Sequence, residues 1–280
     1  MAGVDSFSPG EIALLVETRG VAKAGAPFLT TLVLGVVAGA FIALGAVFST
    51  VVSTGSTLGD GPTRLLAGAA FSLGLILVVV AGAELFTGNN LVVMSWVSRN
   101  ITLARLLRNW AIVYLGNALG ALSVVVLVYL SDWWAVGDHS MGATALSIAA
   151  SKAGLSFGVA FVRGILANAL VCLAVWLATA GRSLTDKVLA IVFPITAFVA
   201  AGFEHSIANM YFIPMGLLLA NQPAVVEIAA LPSDRFASLD GAGLITNITA
   251  ATLGNIVGGG VLVGLVYWFV YLRPRSATKH

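Results

Sequence analysis

The chain has 280 residues, of which 59% are hydrophobic and 9% are charged, and its formal net charge is +2. Soluble globular domains carry roughly 25% charged residues, so this sequence lacks the groups needed to cover a water-facing surface. The composition excludes most soluble enzymes and disordered scaffolds, and the small net charge gives no indication of a nucleic-acid partner. We therefore expect a membrane protein whose solvent is the lipid bilayer.

The chain begins with a polar segment, residues 1–26, that does not resemble a cleavable signal and that contains a predicted amphipathic helix over Glu11–Lys23. Six apolar runs follow, each long enough to cross a bilayer. The predicted spans are Phe28–Val52, Leu65–Val97, Trp110–Leu130, Leu155–Ala180, Val188–Ala220 and Ile245–Leu272. These spans predict a single all-α transmembrane domain, residues 1–280, whose joints, among them Ser131–Lys152, are soluble loops.

The Lys and Arg residues favour one orientation for these spans. Ten of them fall on the side shared by the two termini, whereas Arg64, Lys152 and Arg235 fall on the opposite side. Because cytoplasmic segments are enriched in Lys and Arg, this bias predicts that both termini are cytoplasmic, with residues 273–280 as a cytoplasmic tail.

The two halves of the chain repeat a pattern in register. A Leu-Gly-Asn motif at 115–117 recurs at 253–255, and an Ala-Gly pair followed by Glu and Asn at 81–89 recurs at 201–209. Each half contains three spans, an odd number, so the second copy enters the membrane from the opposite side. Residues 28–130 and 155–272 are therefore predicted to form an inverted repeat, which places a substrate path near the membrane midplane.

Of the twelve acidic residues, only Glu84 and Glu204 lie within predicted spans, at equivalent positions of the repeat. A carboxylate at membrane depth needs partners or a water-filled path. The helical pattern is interrupted after both acids, where Gly88 permits a positive φ and Asn89 and Asn209 suit a cap or turn. We predict broken second and fifth helices in which the two carboxylates accept freed backbone N–H groups. Bonds to neighbouring helices, or a proton relay, are the alternatives.

His205 is the one histidine inside a predicted span, and Thr87 lies at the mirror-related break. Imidazole can bond a small anion or exchange a proton with it near neutral pH. Half-helix N-termini at the breaks favour an anion. Both residues are expected to line a pore, and a structural histidine with a locally bonded threonine is the alternative. The one cysteine, Cys172, lies in an apolar run, so no disulfide, metal site or cofactor is predicted.

Several segments closely resemble the signature of the formate/nitrite transporter family. The likeness is strongest over residues 201–210 (AGFEHSIANM) and 213–216 (IPMG), and residues 84–87 (ELFT) look like the family's second-helix break. Residues 164–168 and 252–260 match its fourth and sixth helices, so the resemblance covers nearly all of 26–273. Within the family, residues 181–187 and 213–215 look like formate channels, whereas Arg163 and Gly88 look more like nitrite channels.

The resemblance implies an aquaporin-like protomer with its own pore, assembled as a homopentamer in the bacterial inner membrane. It implies passive or proton-linked transport of formate and similar small monovalent anions, and no enzymatic activity. By position, His205 would be the central pore histidine and Thr87 its partner. Lys152 would attract anions at the outer mouth, and Asn168 would form hydrogen bonds near the centre. Glu204 is counted with these residues as part of the pore. The implied apolar constrictions are Phe71, Leu75, Leu85, Phe86, Val171, Phe198 and Phe203.

Several alternatives remain open on the sequence. A nitrite or hydrosulfide channel of the same family is one, and a neutral-solute channel of the aquaporin type is another, although the chain contains no Asn-Pro-Ala triplet. An intramembrane hydrolase built on Glu204, His205 and Ser206 is disfavoured because adjacent helical residues do not face each other. Symmetric polar breaks disfavour a purely structural assembly protein. Arg163 is expected to snorkel, pair at a protomer interface or alter the outer vestibule, and Lys152 is alternatively a loop cation.

Overall fold

The computed structural model describes residues 6–273, which are helical without a strand, so the predicted all-α class is confirmed. Residues 1–5 and 274–280, including most of the predicted tail, lie outside the described residues. The first half contains α1 (Pro9–Gly25), α2 (Phe28–Ser53), α3 (Asp60–Ala81), α4 (Phe86–Asn89), α5 (Val93–Val97) and α6 (Leu103–Leu130). The second half contains α7 (Ser140–Ala153), α8 (Phe157–Ala180), α9 (Leu184–Ala200), α10 (Ser206–Leu219), α11 (Pro223–Ala229), α12 (Ser233–Ala237), α13 (Gly241–Asn255), a π-helical stretch (Ile256–Leu265) and α14 (Val266–Tyr271).

Five described helical segments are long and apolar enough to cross a membrane: α2, α3, α6, α8 and the continuous stretch Gly241–Tyr271. One pair bent by 110°, α10 with α11, makes a sixth if it is counted as one span. The fifth predicted span, Val188–Ala220, is divided between α9 and α10. The exact number of crossings therefore stays a prediction.

The joint predicted over Ser131–Lys152 is not a soluble loop. Most of it forms α7, whose Leu146, Ala149 and Ala150 are fully buried. Alanine is the strongest helix former, and this helix of 14 residues is rich in it. At that length the segment cannot span a bilayer, so a search for apolar runs of spanning length misses it. As a result, α7 packs beside α10 and brings Lys152, in its last turn, to the interior of the molecule.

Glycines allow two helix pairs to cross at very short distance, one pair in each half of the chain. A Cβ atom placed on Gly120 of α6 would collide with the Val36 carbonyl of α2. The equivalent atom on Gly258 would collide with the Ile165 carbonyl of α8. Small residues at such crossings let backbones touch, which is how helices associate without a hydrophobic driving force between them.

We expect Gly120→Ala and Gly258→Ala each to lower the free energy of unfolding by about 1–3 kcal/mol, because backbone must move to admit the methyl group. Gly158→Ala is the matched control, since a Cβ atom at Gly158 of α8 meets nothing within 4 Å. Thermal unfolding of the purified protein in detergent measures the difference. Equal melting temperatures for Gly120→Ala and Gly158→Ala would contradict the close approach.

Candidate functional site

Two short non-helical stretches lie inside the second and fifth predicted spans, and we call them the interruptions. They are residues 82–85, between α3 and α4, and residues 201–205, between α9 and α10. Each interruption contains a glycine in the left-handed region, Gly82 with φ of 84° and Gly202 with φ of 72°. Glycine adopts this conformation without steric cost, so it turns the chain out of the preceding helix. Gly88, which permits a positive φ, does not adopt one, because it lies inside α4 and the turn is made six residues earlier.

Two buried asparagines satisfy the backbone groups that the interruptions leave without helical partners. Asn117 of α6 accepts a hydrogen bond from the Phe86 N–H at 2.9 Å, and Asn255 of α13 accepts one from the Ser206 N–H at 2.9 Å. The amide of each asparagine donates to the carbonyl of the acid in the same interruption, at 2.9 and 3.0 Å. The expectation that the glutamate carboxylates fill this role is therefore wrong. A side-chain amide suits the position because it both donates and accepts.

The carboxylate of Glu204 lies within a group of side chains that we call the Lys152 cluster: Lys152, Glu204, Asn209 and Asn247. Its Oε1 atom is 3.0 Å from Lys152 Nζ. Its Oε2 atom accepts from the amides of Asn209 and Asn247 at 2.6 and 3.0 Å. Glu204 is 2% exposed, and these three donors provide what a buried carboxylate requires. The Lys152 side chain, 17% exposed, is thus bound at the edge of the interior rather than free in a loop.

The first half of the chain contains an equivalent group, the Lys23 cluster: Lys23, Glu84, Asn89 and Asn109. Glu84 Oε1 is 2.9 Å from Lys23 Nζ, and Oε2 accepts from Asn89 at 2.6 Å. Asn89 in turn donates to Asn109 at 3.0 Å. The side chains of Lys23 and Glu84 are 32% and 14% exposed, so this cluster is more open than its counterpart. Asn89 and Asn209 therefore bind the acid five residues before them rather than cap a helix.

His205 and Thr87 connect the two interruptions through a buried hydrogen bond. The distance from His205 Nε2 to Thr87 Oγ1 is 3.0 Å, and both residues are at least 97% buried. Because His205 Nδ1 accepts from the Ala208 N–H at 3.1 Å, a neutral ring must carry its proton on Nε2. His205 then donates to the Thr87 oxygen, which leaves the hydroxyl proton of Thr87 for another acceptor. The structure brings together these two sequence-predicted residues from opposite halves.

Asn168 of α8 fixes the backbone around Thr87. Its amide donates to the Thr87 carbonyl at 3.2 Å, to Asn90 Oδ1 at 2.7 Å and to the Asn255 carbonyl at 2.7 Å. The Cys172 thiol, one helical turn further along α8, also lies 3.3 Å from the Thr87 carbonyl. Asn168 therefore connects the first interruption to α13, the helix whose Asn255 binds the end of the second interruption.

A cavity of about 710 Å³ extends from Lys152, at the edge of the interior, to His205. Phe71 and Phe198 form an edge-to-face pair in its wall, with ring centroids 5.6 Å apart, and Phe198 stacks on His205 at 5.9 Å. Phe203 lies on the same wall. These three aromatic side chains therefore line the cavity beside the His205 ring, and their role as constrictions stays a prediction.

The other four residues assigned to constrictions do not line this cavity. Each is at least 97% buried: Leu75, Leu85, Phe86 and Val171. The ring of Phe86 packs against Trp110 and Tyr114 of α6, at centroid distances of 6.0 and 4.9 Å. Their role as constrictions stays a prediction.

The sequence reasoning missed Lys23 and the four asparagines Asn109, Asn117, Asn247 and Asn255 as site residues. The signal was present, because Lys23 and Lys152 are 129 positions apart, the same offset that relates Gly35 to Gly164. In the sequence, Lys23 counts only as one of the ten cations on the side of the termini, which predict the orientation of the spans. In residues 6–273 no group of three or more His, Cys, Asp or Glu side chains is arranged to hold a metal ion.

Replacing Asn255 with Ala should lower the free energy of unfolding by about 2 kcal/mol, because it leaves the buried Ser206 N–H without an acceptor. It should also reduce transport, since Asn255 fixes the backbone around His205. Asn221→Ala is the control, because Asn221 is exposed in the turn after α10 and its side chain donates to the Leu217 carbonyl alone among the described residues. Thermal unfolding in detergent and flux in liposomes measure both effects. An Asn255→Ala protein as stable as Asn221→Ala would contradict the assigned contact.

Comparison with known proteins identifies the family. The family model described as formate/nitrite transporter matches residues 10–269. The chain belongs to the formate/nitrite transporter family. It is 44% identical over 276 residues to the formate channel FocA of Escherichia coli K12, a match that covers 97% of each chain. It is 39% identical over 265 residues to FocA of Haemophilus influenzae, with 93% of each chain covered.

Two solved structures of the family show the same fold. One, a pentameric formate channel with formate bound, is 39% identical and has a TM-score of 0.79, with 88% of this chain and 98% of that chain covered. The other, an FNT family ion channel, is 28% identical with a TM-score of 0.79, with 93% of this chain and 98% of that chain covered. The predicted all-α fold is thus shared with channels of this family, and the protein is a multi-pass membrane protein.

Proposed function

We propose that this protein conducts formate and similar small monovalent anions across the membrane, through one pore in each protomer. The observation that carries the proposal is the buried pair of His205 and Thr87, which joins the two helix interruptions at the inner end of an open cavity. The relatives named above are formate channels, which favours formate over nitrite or hydrosulfide as the substrate.

The cavity wall offers the substrate a graded environment. The cationic side chains on the cavity wall attract an anion into it, but the rings of Phe71 and Phe198 then oppose passage of a hydrated charge. An anion near His205 favours uptake of a proton by the ring from water in the cavity, which displaces the Ala208 N–H from Nδ1. The imidazolium can then pass a proton to the carboxylate and return to the neutral ring. Neutral formic acid crosses an apolar constriction far more easily than formate does. Thr87 supports this step, because its hydroxyl proton is free to bond the carboxylate.

Membership of the family also supports an inference about the oligomeric state of the protein and about the membrane in which it lies. We infer a homopentamer, because a related solved structure is a pentameric formate channel. The excess of Lys and Arg on the side of the termini supports an orientation with both termini cytoplasmic, in the inner membrane of a bacterium.

Flux in reconstituted liposomes tests the proposal. Labelled formate, nitrite, acetate and hydrosulfide are supplied in turn at a pH of about 5.5 and of about 7.5, so that proton-linked entry can be distinguished from passage of the anion alone. We expect formate to enter fastest, and faster at the lower pH. Empty liposomes and the Asn221→Ala protein serve as controls. Swelling with glycerol or water, in the absence of anion flux, would instead indicate a neutral-solute channel.

A further inference from the structure

Two arginines, Arg64 of α3 and Arg163 of α8, line the cavity together with Lys152. Arg64 Nη1 donates to the Ala200 carbonyl at 3.3 Å, and Arg163 Nη1 donates to the Gly202 carbonyl at 3.4 Å. The two carbonyls are two residues apart on the chain, at the end of α9. Both guanidinium groups are therefore held beside the second interruption, on the approach to His205.

Around the cavity, the positive charges of these two arginines exceed the negative charge available to compensate them. Among the described residues that line it, three are cations and one, Glu204, is an acid. Glu204 is bound by Lys152 at 3.0 Å, so the positive charge of Lys152 is largely compensated. The acid paired with Arg64 is Asp60, at 3.8 Å, and the Asp60 side chain is 97% exposed. Such an exposed pair is weak and is screened by salt.

The rest of the wall is suited to an anion that keeps part of its hydration. A guanidinium group has five N–H donors in a planar fork, and one bond to a carbonyl leaves most of them for a ligand. This fork matches the two oxygens of a carboxylate. Hydroxyl groups complete the polar lining, and they belong to Ser49, Ser53, Thr63, Ser140, Thr144, Ser147 and Ser151.

We propose that Arg64 and Arg163 form an anion-binding site in the cavity, separate from the pair of His205 and Thr87, which holds a small carboxylate before it enters the constriction. The inference rests on the proposed function, because it assigns the site to the same transported anion. It also gives Arg163 a role in the vestibule rather than at a protomer interface. The site raises the local concentration of formate, so it lowers the formate concentration at which transport reaches half of its maximum.

The test is the half-saturating formate concentration of R64Q/R163Q in liposomes at low ionic strength. We expect it to rise about fivefold over the wild-type value, because two nearby charges that concentrate the anion are removed. In about 1 M potassium chloride, where the Debye length is about 3 Å, the two proteins should differ by less than about twofold. R235Q is the matched control, since Arg235 is an exposed cation on α12 that does not line the cavity. R64K/R163K keeps both charges but loses the planar forks, so it should restore only part of the affinity.

The other outcomes separate the site from the function. If the arginines only stabilise the end of α9, R64Q/R163Q melts at a lower temperature while its half-saturating concentration and salt dependence equal those of the wild type. That result would overturn the site and leave the proposed function intact. A wild-type protein that conducts no formate would overturn the proposed function itself.

Discussion

Replacing His205 with Phe is expected to abolish the pH-dependent part of formate flux while the protein remains folded. The phenyl ring fits the site, because the imidazole already stacks on Phe198 at 5.9 Å in a buried aromatic environment. It cannot donate a proton, and a positioned proton donor contributes about 100-fold or more to the rate of a step that needs one. Flux at acidic and neutral pH, together with a thermal unfolding curve, measures the effect.

A second variant separates proton transfer from the structural role of His205. His205 Nδ1 accepts the Ala208 N–H at the start of α10, and Phe loses this bond whereas Asn is a good N-cap residue. His205→Asn should therefore restore stability without restoring the pH dependence. His139→Asn is the control, because His139 lies outside the site, half-buried beside Trp134. Should His205→Asn keep the wild-type pH profile, proton transfer at this position would be excluded.

Most of the fold was predictable from the sequence because lipid imposes a strong pattern. The ends of α2 and α8 lie within about two residues of the predicted spans, since a helix in a bilayer needs about 20 apolar residues. α7 escaped prediction because its burial rests on packing against other helices rather than on lipid contact, and packing leaves no periodic apolar run. The two interruptions lie beside the acids that led us to expect broken helices, whereas nothing in the sequence marked Gly82 and Gly202 as the residues that turn the chain.

The structure places several of the predicted site residues next to each other, but most of their contacts were not predictable from the sequence. His205 and Thr87 stood out because polar groups are rare at membrane depth, and they do lie against each other. Their partners Asn117 and Asn255 were visible only as repeat motifs, since an asparagine on a helix indicates nothing about which backbone group it will reach. The resemblance supplied Lys152, but not that its ammonium group binds Glu204. Such pairings depend on the relative placement of helices, which a single sequence does not specify.

Glu204→Gln should be the most destabilising single change in the site, at a cost of about 3 kcal/mol, because it leaves the ammonium group of Lys152 without its partner in a poorly solvated position. Oε1 faces Lys152, and Oε2 faces the amides of Asn209 and Asn247, so all three neighbours are donors. Whichever way the glutamine amide is oriented, its NH₂ group meets a donor. Thermal unfolding in detergent measures the loss.

Glu84→Gln provides the internal comparison, because the equivalent carboxylate has the same kinds of partners in a wetter place. The side chains of Glu84 and Lys23 are 14% and 32% exposed, so water can replace part of the lost interaction. We expect a cost of about 1 kcal/mol there. Removal of both charges in Lys152→Met/Glu204→Gln should recover at least about half of the stability lost in Glu204→Gln, since no unpaired ion then remains. Equal losses from Glu84→Gln and Glu204→Gln would show that burial does not set the strength of these two equivalent pairs.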